Sequence, residues 1–144
     1  MVRIATIQDI PTLNYLYSKE ENTLDFPTPD HLRYKLGTYL FNLPNSTIFI
    51  LSPYSTVFME NVGNHKVVVH IILGTEDRGK AGVALVKDSL KWYSSNYSTT
   101  RKIIANVPRD NKKCRVFISL IGFKKEGETN MLGIPMDVYK LEVN

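Results

Sequence analysis

Hydrophobic and polar positions change their period near Pro44. Ahead of it, the alternation over Val2–Ala5 predicts a short strand, and Leu13, Leu16 and Tyr17 then recur at helical spacing. Thr6 or Asp9 stands where a helix cap belongs, and Pro11, tolerated only in a first turn, places the start close to Asp9. The run Phe26-Pro27-Thr28-Pro29-Asp30 breaks the pattern. A second helix is predicted from Asp30 to about Phe41, with Leu32, Leu36, Tyr39 and Leu40 as its apolar stripe. Beyond Pro44 the spacing predicts strands over Ile48–Leu51, Val57–Val62 and Lys66–Leu73, parted by turns at Ser52-Pro53-Tyr54 and Gly63-Asn64. Val67–Leu73 is apolar almost throughout, as a central strand covered on both faces should be. A glycine-bearing turn then leads into a helix through Tyr93 that buries Leu85, Val86, Leu90 and Tyr93. After it come a strand over Arg101–Val107, a helix over Asn111–Ile121 closed by Gly122, and strands over Phe123–Glu128 and Met136–Val143, paired antiparallel. The order β-α-α-β-β-β-α-β-α-β-β defines a mixed α/β protein.

The chain has 144 residues, a length suited to one domain spanning 1–144. An apolar fraction of 43% with 22% charged residues is that of a globular protein and excludes disorder as its main state. No apolar run reaches the roughly 18 residues of a membrane span, and Met1–Thr6 lacks the stretch of a signal peptide, so a cytoplasmic protein is expected. One cysteine, Cys114, excludes a disulfide framework and a cysteine zinc cage, and no metal is expected.

The formal charge of +4 is unevenly placed. Residues 1–100 are balanced, whereas 101–125 hold eight Lys and Arg against Asp110 alone. That segment, at +7, predicts an anionic ligand or a solvated basic face. Nucleic acid ranks last as its partner. Only Phe117 and Phe123 accompany the basic residues, and their spacing suits burial rather than base stacking.

The strand, turn and helix at 67–93 form the first candidate site. A strand running into a glycine-bearing turn and a helix start collects unpaired N–H groups at one point, a setting for a pyrophosphate. Gly79 and Gly82 would let the backbone approach such a ligand closely. Neither GxxxxGK[ST] nor GxGxxG is present. Leu73-Gly74-Thr75-Glu76-Asp77-Arg78-Gly79-Lys80-Ala81 in this setting resembles the GNAT superfamily of acetyl-coenzyme A-dependent N-acetyltransferases. Asn111-Lys112-Lys113-Cys114, followed by Gly122-Phe123-Lys124-Lys125-Glu126-Gly127, is similar to the family's N-x-x-A/S…GF-x-x-EG signature. That signature and the ending Asp137-Val138-Tyr139-Lys140-Leu141 lie nearest the ribosomal-protein alanine acetyltransferase branch. The opening, from Arg3-Ile4-Ala5-Thr6 to Asp9, is similar to the superfamily's first strand and helix start.

The resemblance implies a mostly antiparallel central sheet whose fourth and fifth strands splay apart around the pantetheine arm of acetyl-CoA. Ile71, Ile72 and Leu73 would supply backbone groups to pantetheine, and the turn Arg78, Gly79, Lys80, Ala81 and Gly82 would hold the pyrophosphate. Asn111 would contact the coenzyme arm. Arg115 and other members of the basic segment, among them Arg109, Lys112 and Lys113, would meet the adenosine 3′-phosphate. Tyr15, Tyr17, Phe26, Tyr34 and Tyr39 fall in or around the first two helices, which in the family border the acceptor. The implied reaction is acetyl transfer to a primary amine: a protein N-terminus, a lysine or a small amine.

Candidates for proton transfer are His70 and Glu60 as bases, and Cys114 as the acid toward the leaving thiolate. The chain departs from the family pattern in three places. Ala81 and Val83 replace turn glycines, Ile118 stands where many members have a tyrosine acid, and Cys114 occupies a small-residue position. These departures define the alternative, a GNAT-fold protein that binds or builds without catalysing, similar to chains that phages carry and that accompany virion assembly. A monomer or a homodimer suits either reading.

Overall fold

The computed structural model describes residues 2–19 and 30–144. They form a seven-stranded mixed sheet in the order β1-β2-β3-β4-β5-β7-β6. The strands are β1 (Arg3–Ile4), β2 (Ser46–Ser52), β3 (Ser55–Gly63), β4 (Lys66–Ile72), β5 (Lys102–Pro108), β6 (Lys124–Met131) and β7 (Ile134–Glu142). The helices are α1 (Ile10–Ser18), α2 (Leu36–Phe41), α3 (Lys80–Asn96) and α4 (Lys112–Ile121). Every neighbouring pair is antiparallel except β4 and β5. No helix among the described residues is long and apolar enough to cross a membrane.

The sheet buries a different cluster on each face because strand side chains alternate. Val57, Met59, Val67, Val69, Ile103, Ala105 and Val107 meet Val86, Leu90 and Tyr93 of α3 and Ile118 and Ile121 of α4. On the other face Ile48, Ile50, Phe58 and Ile72 meet Leu13 and Tyr17 of α1 and Leu36 and Leu40 of α2. The expected covering of β4 on both faces is thus present.

β4 and β5 pair from Lys66 and Lys102 only as far as Val69 and Ala105. Both strands run on, β4 to Ile72 alongside β3 and β5 to Pro108 alongside β7. A gap therefore opens between them toward their C-terminal ends, as a splayed fourth and fifth strand requires.

The second helix differs from its expected form. Asp30–Lys35 is wound as a 3-10 segment, and only Leu36–Phe41 is α-helical. Tyr39, expected on the apolar stripe, is 51% exposed. Close contact with α1 sets the orientation instead. A Cβ on Gly37 would lie 2.5 Å from the Asn14 nitrogen, and the Asn14 side chain bonds both the N–H and the hydroxyl of Thr38 at 2.9 Å. Seating Gly37 and Leu40 inward on that contact turns Tyr39 outward. The expected break at Phe26–Pro29 lies outside the described residues.

The first helix starts as its sequence implies, through a 3-10 turn over Ile7–Asp9. The Asp9 carboxylate accepts from the Thr6 N–H at 2.8 Å and forms a two-pronged ion pair with Arg3.

Candidate functional site

The segment after β4 is shaped by three local constraints. Asp77 accepts hydrogen bonds from the hydroxyls of Ser52 and Ser55, and Ser55 Oγ accepts from the Gly74 N–H at 3.0 Å. The turn is thereby tied to the β2–β3 hairpin. Gly79 then takes φ +90° and ψ −150°, a conformation open to glycine almost alone, and precedes the first residue of α3. Gly82 is required for a different reason. A Cβ there would come within 2.0 Å of the Asp77 carbonyl oxygen, so the first turn of α3 packs directly on the turn before it. The space expected to admit a ligand at Gly82 is filled by the protein's own backbone. Val83 N–H bonds Gly79 O at 3.1 Å, which leaves the N–H groups of residues 80–82 without an acceptor inside the helix.

α4 begins in a similar way. Asn111 caps it by accepting the Cys114 N–H at 3.0 Å, and Gly122 ends it in the left-handed conformation. A cavity of about 360 Å³ lies between these two helix starts and the end of β4. Consecutive residues Ile71, Ile72 and Leu73 form its floor, so the exposed edge of the strand, and not one face alone, borders it. Arg78, Gly79 and Val83 make one wall; Asn111, Lys113, Cys114, Phe117 and Ile118 make the other, with Val116 and Leu120 at its exposed rim. The interior is apolar. Positive charge from Arg78, Lys113 and two helix N-termini stands at its border. Such a site accommodates a long, largely apolar arm ending in an anionic group.

Of the residues singled out in the sequence, Ile71, Ile72, Leu73, Arg78, Gly79, Asn111 and Cys114 come together here. Lys80, Ala81 and Gly82 continue from the cavity into the first turn of α3. Arg115 does not line the cavity. Its Nε is buried with no hydrogen-bond partner among the described residues. Ile118, at the position of the missing tyrosine, is 2% exposed and closes the cavity wall with a hydrocarbon surface.

His70 and Glu60 lie on the opposite face of the sheet, the one covered by α1 and α2. His70 pairs in register with Phe58, their rings 5.7 Å apart, and Glu60 is two residues further along β3. Burial pushes the His70 imidazole down to about 4. It is therefore neutral at pH 7 and a weak proton acceptor. The three candidates for proton transfer are thus divided, with Cys114 on the cavity side and His70 and Glu60 across the sheet.

The +7 segment does not form one anion site. Lys102 pairs with Glu126 at 2.7 Å, while Arg109 and Lys125 flank Asp137, itself 3% exposed, and both also reach Glu128. Acidic residues of β6 and β7 neutralise this part of the segment, and only Lys113 of its eight cations borders the cavity. Sequence proximity grouped residues that the fold sends to different faces. One feature escaped the sequence reading: the Ser52–Asp77–Ser55 tether joins positions more than twenty residues apart and has no local signature.

Comparison with solved structures places this architecture. The ribosomal-protein-S5-alanine acetyltransferase of Vibrio fischeri superposes with a TM-score of 0.76 at 18% identity, over 98% of this chain and 91% of that one. The spermidine N-acetyltransferase of Vibrio cholerae, solved with CoA and spermine, gives 0.75 at 16% identity, over 99% and 94%. A GCN5-related N-acetyltransferase from Kribbella flavida gives 0.77 at 17% identity, over 99% and 97%. The chain has the GNAT fold, with a mostly antiparallel sheet whose one parallel pair, β4 and β5, parts after Val69 and Ala105. No family model matches the sequence, and no curated protein matches it.

Proposed function

We propose that this protein transfers an acetyl group from acetyl-CoA to a primary amine. The observation that carries the proposal is the gap between β4 and β5, bordered by an apolar cavity that leads to the start of α3. The pantetheine arm would lie along Ile71–Leu73, and the pyrophosphate would meet the N–H groups of residues 80–82 and the Arg78 and Lys113 side chains. Asn111 and Cys114 would border the arm. The named reactions of the structural neighbours, which modify a ribosomal-protein alanine and spermidine, support an amine as acceptor.

In the reaction the amine nitrogen attacks the thioester carbon, a C–N bond forms and the C–S bond breaks. One proton leaves the nitrogen and one reaches the departing sulfur, giving an amide and free CoA. Backbone N–H groups at the β4 edge would polarise the carbonyl, and fixing the two reactants together would contribute most of the rate. His70 and Glu60 stand on the side from which the amine enters, and Cys114 on the side of the leaving sulfur. Release of CoA thiol from acetyl-CoA is expected in the presence of at least one of an alanine-initiated peptide, a lysine peptide or spermidine. No release above the amine-free rate with any of these opposes transfer to an amine.

The second reading is a protein that holds the coenzyme without turning it over. Ile118 favours it, since a hydrocarbon side chain cannot protonate a thiolate, as does the weak basicity of His70. Coenzyme binding without thiol release is its signature.

A further inference from the structure

Two residues mark the flanks of α3. Val83 lines the cavity, and Trp92, on the opposite side of the helix axis, packs edge-on against Phe49 of β2 at 5.4 Å. The flank away from β2 therefore faces α4. At about 100° per residue, Lys80, Lys87 and Lys91 all fall within about 80° of Val83, on that same flank. Asp88, the one acidic residue of α3, is turned about 140° from Val83. The three lysines are exposed, and neither they nor Arg78 and Lys113 at the cavity border belong to an ion pair among the described residues. On α4, Val116 and Leu120 stand 51% and 62% exposed at the cavity rim.

The length of the lysine row decides its partner. The N–H groups that a pyrophosphate would meet end at residue 82, whereas Lys87 and Lys91 stand about 8 and 14 Å further along the axis. The remaining phosphate of a coenzyme, on its adenosine, accounts for one such charge and not for a row beside an exposed apolar strip. That combination fits a protein surface of acidic and apolar residues. It surrounds the mouth of the donor cavity, so the protein that covers it brings the donor. Resting on the acetyl-transfer reading, we propose that an acidic carrier protein docks along α3 and α4 and delivers the acetyl group on its own phosphopantetheine arm, into the cavity that acetyl-CoA also enters. The amine nitrogen attacks the carrier's thioester carbon, the C–N bond forms and the C–S bond breaks. One proton leaves the nitrogen and one reaches the sulfur, and the carrier departs as its free thiol. Arg78 and Lys113 meet the single phosphate of the arm, while Lys80, Lys87 and Lys91 meet acidic side chains of the carrier.

The test titrates the protein with CoA and with a freestanding acyl carrier protein in its holo and apo forms. The holo carrier is expected to bind about ten-fold more tightly than the apo form, because only it has an arm to bury, and to be displaced by CoA. Lys87→Glu combined with Lys91→Glu should weaken the holo carrier about ten-fold and leave the affinity for CoA unchanged, which also shows that the variant is folded. The inference is overturned if CoA binds and the holo carrier does not, if holo and apo forms bind alike, or if CoA fails to displace the holo carrier. It is overturned equally if the variant keeps the carrier, if it loses carrier and CoA together, or if a short DNA duplex binds as tightly as the holo carrier. Failure of the unmodified protein to bind CoA at all removes the acetyl-transfer reading itself, a result distinct from these.

Discussion

His70 shows how placement changes the chemistry of a residue. In a peptide its imidazole titrates near 6.5, within reach of an amine's proton, whereas in the fold burial lowers it to about 4. The depressed value links protonation to stability. Between about 6.5 and 4 the unfolded chain takes up a proton that the folded chain refuses, so this contribution is complete above pH 6.5 and is lost as pH falls toward 4. Urea titrations from pH 7 to pH 4 should show a falling midpoint for the native protein and a shallower fall for His70→Gln. Equal slopes would mean that burial of this imidazole does not control the loss. Gly79 and Gly82 separate two uses of glycine that look alike in sequence. Gly79→Ala meets open space and should cost only the strain of its backbone, about 2 kcal/mol. Gly82→Ala drives a methyl group into the Asp77 carbonyl and should cost about 3 kcal/mol or more. Thermal unfolding orders the two variants, and a milder Gly82→Ala contradicts the packing described. The sequence marked both glycines, but only the three-dimensional contact tells backbone freedom from close packing.

At the scale of elements, helices and strands followed their hydrophobic period where one partner dictated it. β4 is apolar apart from Lys66 and His70 and lies between two covered faces, and α1 begins where Pro11 and Asp9 require. The second helix departed because its inner face is set by Gly37 against Asn14, a contact between segments that a single stripe of leucines cannot convey. The basic segment misled for the same reason. Lys102, Arg109 and Lys125 adjoin the cavity-lining helix in sequence, yet the β6–β7 hairpin brings Glu126, Glu128 and Asp137 to them. The turn after β4 depends on a tether of this long-range kind. Asp77→Ala removes the acceptor of both the Ser52 and Ser55 hydroxyls, and each lost bond amounts to about 1 kcal/mol. Coenzyme affinity should fall together with stability, because the tethered turn leads directly into the N–H groups at the start of α3. A variant that loses stability but binds CoA as before would separate the tether from the site.

For the whole molecule, the sheet acts as a partition. One face, under α3 and α4, carries the cavity and its positive border; the other, under α1 and α2, carries His70 and Glu60. β4 and β5 part after Val69 and Ala105, and in the proposed reaction a thioester and an amine would meet at that gap. Parallel pairing that ends after four residues, while both outer pairings continue, forms that opening. The sequence conveyed the order of elements and the glycine-bearing turn after β4 because both are local. It could not convey which face each candidate occupies relative to the gap, since that depends on strand register. Calorimetric titration with acetyl-CoA tests the central claim most directly. The account expects saturable binding at micromolar concentration, weakened at least ten-fold (about 1.4 kcal/mol) when Arg78 and Lys113 are both replaced by alanine. No heat of binding at millimolar acetyl-CoA would contradict it.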